Sequence, residues 1–219
     1  GQTRRLDPEL ESGVRDGTLW CLDTASGVSR QVAVEIRADA PDRRPYWKTV
    51  KELVQGFDIA PNGSRAAVVA RGDVFTVPRE EGITRSLTSG SGAREKDVAW
   101  SPDGRSVAYL SDVSGEYEVW VVDAAGRTPA RKLTTHRDGY RHTLRWSPDS
   151  TKIAYADQTL SVYVLDVATG AVTKVDRAEF EPTDVALDAK PISDFAWSPD
   201  SRWLAYSKMN EQLLSQVWL

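Results

Sequence analysis

One phrase recurs down this chain and limits what it can fold into. Val98-Ala99-Trp100-Ser101-Pro102-Asp103-Gly104 returns as Leu144-Arg145-Trp146-Ser147-Pro148-Asp149-Ser150 and again as Phe195-Ala196-Trp197-Ser198-Pro199-Asp200-Ser201. A degenerate copy, Phe57-Asp58-Ile59-Ala60-Pro61-Asn62-Gly63, stands ahead of them without the tryptophan. The prolines fall at 61, 102, 148 and 199, so the steps are 41, 46 and 51 residues. A period of that size is one four-stranded blade of a β-propeller with connections of varying length.

Each copy continues alike. After the turn comes an alternating segment: Val107-Ala108-Tyr109, Ile153-Ala154-Tyr155, Leu204-Ala205-Tyr206 and, more weakly, Ala66-Ala67-Val68. A second segment centres on an aromatic, as in Val119-Trp120-Val121, Val162-Tyr163-Val164, Val74-Phe75-Thr76 and Val217-Trp218-Leu219, with Leu19-Trp20-Cys21 as an early copy. Turns such as Asp23-Thr24-Ala25-Ser26-Gly27 and Asp166-Val167-Ala168-Thr169-Gly170 follow. A more polar strand closes the unit, as in Arg131-Lys132-Leu133-Thr134 and Val172-Thr173-Lys174-Val175. Period two and β-branched or aromatic residues argue for strands. Ser-Pro-Asp-Gly suits a type I turn, with proline presetting φ and glycine relieving the last position. The only helical candidate is short, around Trp47 to Val54.

The expected fold class is therefore all-β: a propeller of four-stranded antiparallel blades, about four to five of them partly or wholly present. Lettering the strands a to d outward from the ring centre, the chain opens with c and d of one blade, roughly Gly17 to Ile36. Three full blades follow, from about Val54 to Val175, and then a, b and c of another. That makes about seventeen strands. Residues 1–38 are read as the last strands of a preceding propeller or blade, and 39–219 as blades of an incomplete propeller. Ala40-Pro41-Asp42-Arg43-Arg44-Pro45 is the linker between them. A closed four-blade ring is the competing arrangement. Eight tryptophans and seven tyrosines stand against one methionine. Val98 and Trp100 share a strand face, as do Leu144 and Trp146, and Phe195 and Trp197. The tryptophans are expected to wedge neighbouring blades together, each burying area worth on the order of 4–6 kcal/mol at most.

The run Gly56-Phe57-Asp58-Ile59-Ala60-Pro61-Asn62-Gly63-Ser64-Arg65-Ala66, leading into Gly72-Asp73-Val74-Phe75-Thr76-Val77-Pro78, resembles the opening of the second propeller of the tricorn protease family. Ser111-Asp112-Val113-Ser114-Gly115-Glu116-Tyr117 and Trp197-Ser198-Pro199-Asp200-Ser201-Arg202-Trp203 extend the likeness. The resemblance implies the end of a six-bladed propeller followed by the first part of a seven-bladed one. It implies a parent that is a cytoplasmic, hexameric serine peptidase, whose propellers filter and channel oligopeptides to an active site outside this segment. On that reading the partners are oligopeptide substrates, the remaining domains of the parent chain and further copies of itself. TolB-like propellers and prolyl-oligopeptidase-like caps share the Trp-Ser-Pro-Asp-Gly element. A scaffold for protein partners and a cap on a hydrolase domain are therefore the rival readings.

No residue is expected to be catalytic, to bind a cofactor or to hold a metal. His136 and His142 are the only histidines, both expected in a loop after a d strand, with no ligand spacing around them. No Gly-x-Ser-x-Gly elbow occurs. Ser89-Gly90-Ser91-Gly92 lacks the lysine of a phosphate loop. Arg71-Gly72-Asp73 reads as a hairpin turn, Arg43-Arg44 as a solvated pair and Cys21 as a small core residue. Asp103, Asp149 and Asp200 are explained by their turns. A formal charge of -4 gives no footprint for nucleic acid or an anionic membrane.

Overall fold

The structure, a computed structural model, describes residues 10–15, 18–34, 51–88, 92–136, 139–178, 195–209 and 214–219. The linker at 40–45 and residues 89–91 lie outside them. By its contacts the chain divides into two compact units, Gly1–Lys48 and Thr49–Leu219.

The first unit holds an antiparallel sheet of β1 (Leu10–Arg15), β2 (Thr18–Asp23) and β3 (Ser29–Val32), in that order. Two strands were expected from the sequence, and β1 is the addition. It pairs with β2 from Leu10 opposite Asp23 to Arg15 opposite Thr18. Its apolar signal is only Leu10 and Val14, with a glycine between, and pairing with β2 supplies what propensity lacks. The Asp23 turn forms as read: Asp23 Oδ1 accepts the Ala25 and Ser26 N–H groups at 3.0 and 2.9 Å, and Gly27 takes φ +69°.

The second unit is four successive antiparallel sheets. β4 (Val54–Ile59), β5 (Arg65–Ala70), β6 (Asp73–Pro78) and β7 (Arg85–Ser86) form one. β8 (Glu95–Trp100), β9 (Ser106–Ser111), β10 (Glu118–Asp123) and β11 (Arg131–Lys132) form the next. β12 (Arg141–Trp146), β13 (Lys152–Asp157), β14 (Ser161–Asp166) and β15 (Val172–Arg177) form the third. β16 (Phe195–Trp197), β17 (Leu204–Met209) and β18 (Ser215–Trp218) make a three-stranded fourth. Each is a simple meander, and β8 packs between β4 and β12. These are propeller blades with their first strands converging. The described strands number eighteen rather than about seventeen. Within the short helical candidate, Lys51–Leu53 form a single 3-10 turn and Val54 begins β4, while residues 47–50 lie outside the described residues.

Among the described residues the core is divided into separate clusters. Apolar side chains form one slab between each pair of blades. Along β9, Val107 and Tyr109 enter the slab toward β4–β7, while Ala108 and Leu110 enter the slab toward β12–β15. β13 does the same, with Ile153 and Tyr155 on one side and Ala154 and Ala156 on the other. Period-two alternation with both faces covered produces this. Trp100 and Trp146 are 7% and 9% exposed within their slabs, and Trp197 is half-buried against the third. The wedge reading therefore holds for these three, whereas Trp203 and Trp218 are exposed.

Of the two outer strands read from the sequence, β15 is longer, running on to Arg177, and β11 is shorter. β11 ends at Lys132, because Leu133 and Thr134 leave the ladder together. The Leu133 N–H donates to Val119 O at 2.8 Å, while Thr134 Oγ1 accepts the Val119 N–H at 2.9 Å. Leu87 and Thr88 treat Val74 identically, both at 2.8 Å. A threonine hydroxyl thus replaces one rung of the sheet.

Candidate functional site

Each blade has two chemically different ends. One carries the proline turns. Gly104, Ser150 and Ser201 donate to the carbonyls of Ser101, Ser147 and Ser198 at 2.8, 2.8 and 2.9 Å, closing each turn. The serine hydroxyls donate to Asp103, Asp149 and Asp200 at 2.6, 2.6 and 2.5 Å. The same carboxylates accept the N–H groups of Arg105, Thr151 and Arg202. Ser147 holds the Asp149 carboxyl down to about 2, and the Asp200 carboxyl is lowered in the same way by Ser198. These aspartates are occupied by their own turns.

The opposite end gathers the b–c turns and the crossovers between blades. Arg71 and Gly72, at φ +58° and +86°, make the tight hairpin turn that joins Ala70 to Asp73. At the second blade interface, the Lys96 ammonium donates to Arg141 O at 2.9 Å. It lies 3.1 Å from the Tyr140 ring centre and 4.4 Å from that of Tyr117. Arg141, 2% exposed, donates through Nη1 to the carbonyls of Tyr117 and Gly139 at 2.7 and 2.9 Å. Above it opens a polar pocket of about 180 Å3, lined by His136, Gly139, Arg141, Asp157, Gln158, Thr159 and Tyr163. This is smaller than the 300–1,000 Å3 or so of typical ligand sites, and admits one side chain or terminus.

The pocket can hold a polar group. Its described polar groups are engaged with one another. Asp157 Oδ1 accepts the Thr159 N–H and hydroxyl at 2.8 and 2.7 Å, and Oδ2 accepts the Tyr163 hydroxyl at 3.0 Å. Tyr155 OH lies 2.8 Å from His136 Nε2, but Tyr155 is fully buried and burial raises its phenol far above the usual range. Sequence reasoning missed Lys96, Tyr117, Tyr140 and Arg141. Charges at strand starts carry no periodic signal and gain meaning only across a blade interface.

The two histidines correct one expectation. His136 lies in the crossover after β11, but His142 lies in β12, with Nδ1 at 3.0 Å from Thr143 Oγ1. Among the described residues no group of three or more His, Cys, Asp or Glu could hold a metal ion. Cys21 is buried in β2. Arg43, Arg44, Ser89 and Ser91 fall outside the described residues. No helix among the described residues is long and apolar enough to cross a membrane.

The family described as "Tricorn protease second beta propeller domain" matches residues 54–219, more than half of the chain. Tricorn protease homolog 1 of Streptomyces coelicolor is 28% identical over 209 residues, covering 93% of this chain and 19% of its own length. The Saccharolobus solfataricus homolog is 20% identical over 191 residues, covering 87% of this chain and 16% of its own. This chain thus spans only a small part of those relatives. The crystal structure of the tricorn protease superposes with a TM-score of 0.61 at 16% identity, over 90% of this chain and 18% of that one. TolB from Acinetobacter baumannii gives 0.54 at 17% identity, over 91% and 45%, a likeness of fold alone. With the blade period, the repeated proline turns and the family match in agreement, the chain belongs to the tricorn protease family, to whose second β-propeller domain residues 54–219 correspond.

Proposed function

We propose that this segment is a non-catalytic part of a propeller that guides oligopeptides to a serine-peptidase active site lying outside it, in a cytoplasmic parent protein that assembles as a hexamer. The observation that carries the reading is the family match over 54–219 together with the packing of first strand on first strand, β4 against β8 and β8 against β12, as around a propeller axis. Strands converging on an axis leave their free edges along a passage, while the slabs between blades bear the stability. The small polar pocket at the crossover end suits the momentary hold on a peptide terminus that a conduit requires.

The test uses the full-length protein, cleared of other reactive cysteines. Asp97→Cys on β8 is coupled to a bulky maleimide; Cys21 is buried and should stay unlabelled. Turnover of long oligopeptides should fall several-fold while that of a short fluorogenic peptide stays level. An equal loss for both, or no loss for either, overturns the conduit. The isolated segment should hydrolyse neither peptide, and turnover by it would overturn the non-catalytic assignment.

A further inference from the structure

The first blade interface, between β4–β7 and β8–β11, contains a carboxyl group that the rest of the fold does not explain. Glu95, the first residue of β8, is 5% exposed. Its Oε1 accepts the Ser111 hydroxyl at 2.9 Å, while its Oε2 is buried with no hydrogen-bond partner. The groups around it are acidic or neutral. Asp73 faces it from β6 and Asp112 from the turn after β9, and both charges act against its ionisation. The Ser111 and Thr88 hydroxyls favour the ionised form but are outweighed by burial and the neighbouring carboxylates, and Tyr109 from β9 is buried beside it. The nearby cations lie outside the pair: Arg71 is exposed on the hairpin turn, and Arg94 is exposed, its N–H donating to Asp112 Oδ1 at 2.7 Å.

The second interface shows how the same positions are filled elsewhere. There the first residues of the c strand and of the next a strand are Glu118 and Arg141, of opposite sign. Glu118 also accepts the Thr134 hydroxyl. At the first interface the corresponding residues are Asp73 and Glu95, of like sign. Two carboxylates in one desolvated seam cannot both ionise cheaply, and an oxygen without a donor is satisfied by carrying the proton itself.

We infer that the first interface is a proton-dependent joint, closed when Glu95 is protonated beside Asp73 and loosened when both are ionised. A backbone hydrogen bond crosses the joint at the same place, from the Glu95 N–H to Gly72 O at 2.8 Å. That amide reports directly on whether the two blades are together. Burial first, then the neighbouring carboxylates, raises the Glu95 carboxyl above its ordinary range, and burial raises Asp73 as well. The folded state therefore binds the proton more tightly than the unfolded chain. The joint is strongest below the unfolded value of about 4.3, weakens as pH rises through the raised folded value, and then levels off. The inference stands on this interface alone and does not depend on what the parent protein does.

The experiment is hydrogen exchange at the Glu95 amide in the full-length protein, with each rate corrected for its intrinsic pH dependence. In the unsubstituted protein, protection should fall with rising pH by about tenfold for each unit by which the carboxyl is raised. Glu95→Gln keeps the shape and the backbone bond but not the charge, so its protection should be higher at neutral pH and nearly flat. Asp73→Asn removes one opposing charge and should move the midpoint to lower pH without abolishing the transition. Flat protection in the unsubstituted protein, an unchanged profile in Glu95→Gln, or a midpoint moved upward by Asp73→Asn would each overturn the joint.

Discussion

The first and second blade interfaces of the 49–219 unit share one geometry and differ in almost every polar detail. At the second, the Trp146 indole donates to Ala99 O at 3.0 Å, and the Asp103 N–H in the preceding turn donates to Ser150 Oγ at 3.0 Å. The third interface repeats both stitches: Trp197 to Arg145 O at 3.2 Å, and the Asp149 N–H to Ser201 Oγ at 3.0 Å. The first has neither. Trp100 Nε1 is buried without a partner, and Gly104 has no hydroxyl to offer. Asp58 compensates in part, its Oδ2 accepting the Trp100 backbone N–H at 2.6 Å. Apolar slabs thus set the blade spacing, whereas polar stitches decide how firmly each seam is closed. The first seam should open before the second.

The sharpest way to break this comparison is to remove the charged residue at the start of each a strand. Arg141→Leu removes a buried guanidinium and leaves two part-buried carbonyls without their donor, and should cost about 3 kcal/mol in urea unfolding. At the matching position, Glu95→Gln should stabilise at neutral pH. Effects of equal sign would show that the two seams are chemically alike. The tryptophans give a smaller difference. Trp146→Phe loses wedge volume and the bond to Ala99, but Trp100→Phe loses volume only. The first should therefore cost about 1 kcal/mol more by the same measurement. If Trp100→Phe proves equally costly, its indole N–H has a partner after all.

The turn ends sharpen the contrast further. Ser150 stands at φ +61°, a left-handed position that costs about 1 kcal/mol for a residue with a side chain. It is offset by the hydrogen bond to the neighbouring turn. Ser150→Ala keeps the strain and loses the bond, so it should destabilise by about 1 kcal/mol. Gly104→Ser introduces strain at φ +75° along with a hydroxyl for the first seam, and should come out near neutral by thermal melting. Space is not the obstacle, because the nearest atom to an added Cβ is Pro61 Cδ at 3.9 Å. The smallest effect is pH-dependent. The Asp149 carboxyl sits at about 2 when folded, below the unfolded value of about 3.9. Its contribution is present above the unfolded value and lost as pH falls through the folded one. Asp149 is exposed, so Asp149→Asn should cost only about 0.5–1 kcal/mol at pH 7, and that cost should shrink as pH falls toward 2 and below.

Much of this was legible because it is local. The spacing of Pro61, Pro102, Pro148 and Pro199 implied the blades, and the turn hydrogen bonds form within the residues that named them. Cys21 and Arg71-Gly72-Asp73 fell where their strand and turn chemistry placed them. His142 did not, because one strand begins with Arg-His-Thr and reads as loop until the β12–β13 ladder forms. Strand β1 was missed because two apolar residues are too few to declare a strand alone.

The repeat by itself determined the blade, its turns and the face each tryptophan presents, since all three follow from neighbours within a few residues and from a side-chain period of two. Only the tertiary structure decided which charges meet. Glu95 with Asp73, Lys96 with Tyr140, and Trp146 with Ala99 are separated by roughly twenty to fifty residues and become neighbours only when blades stack. Electrostatic character depends on distance and desolvation through space, and a linear pattern encodes neither.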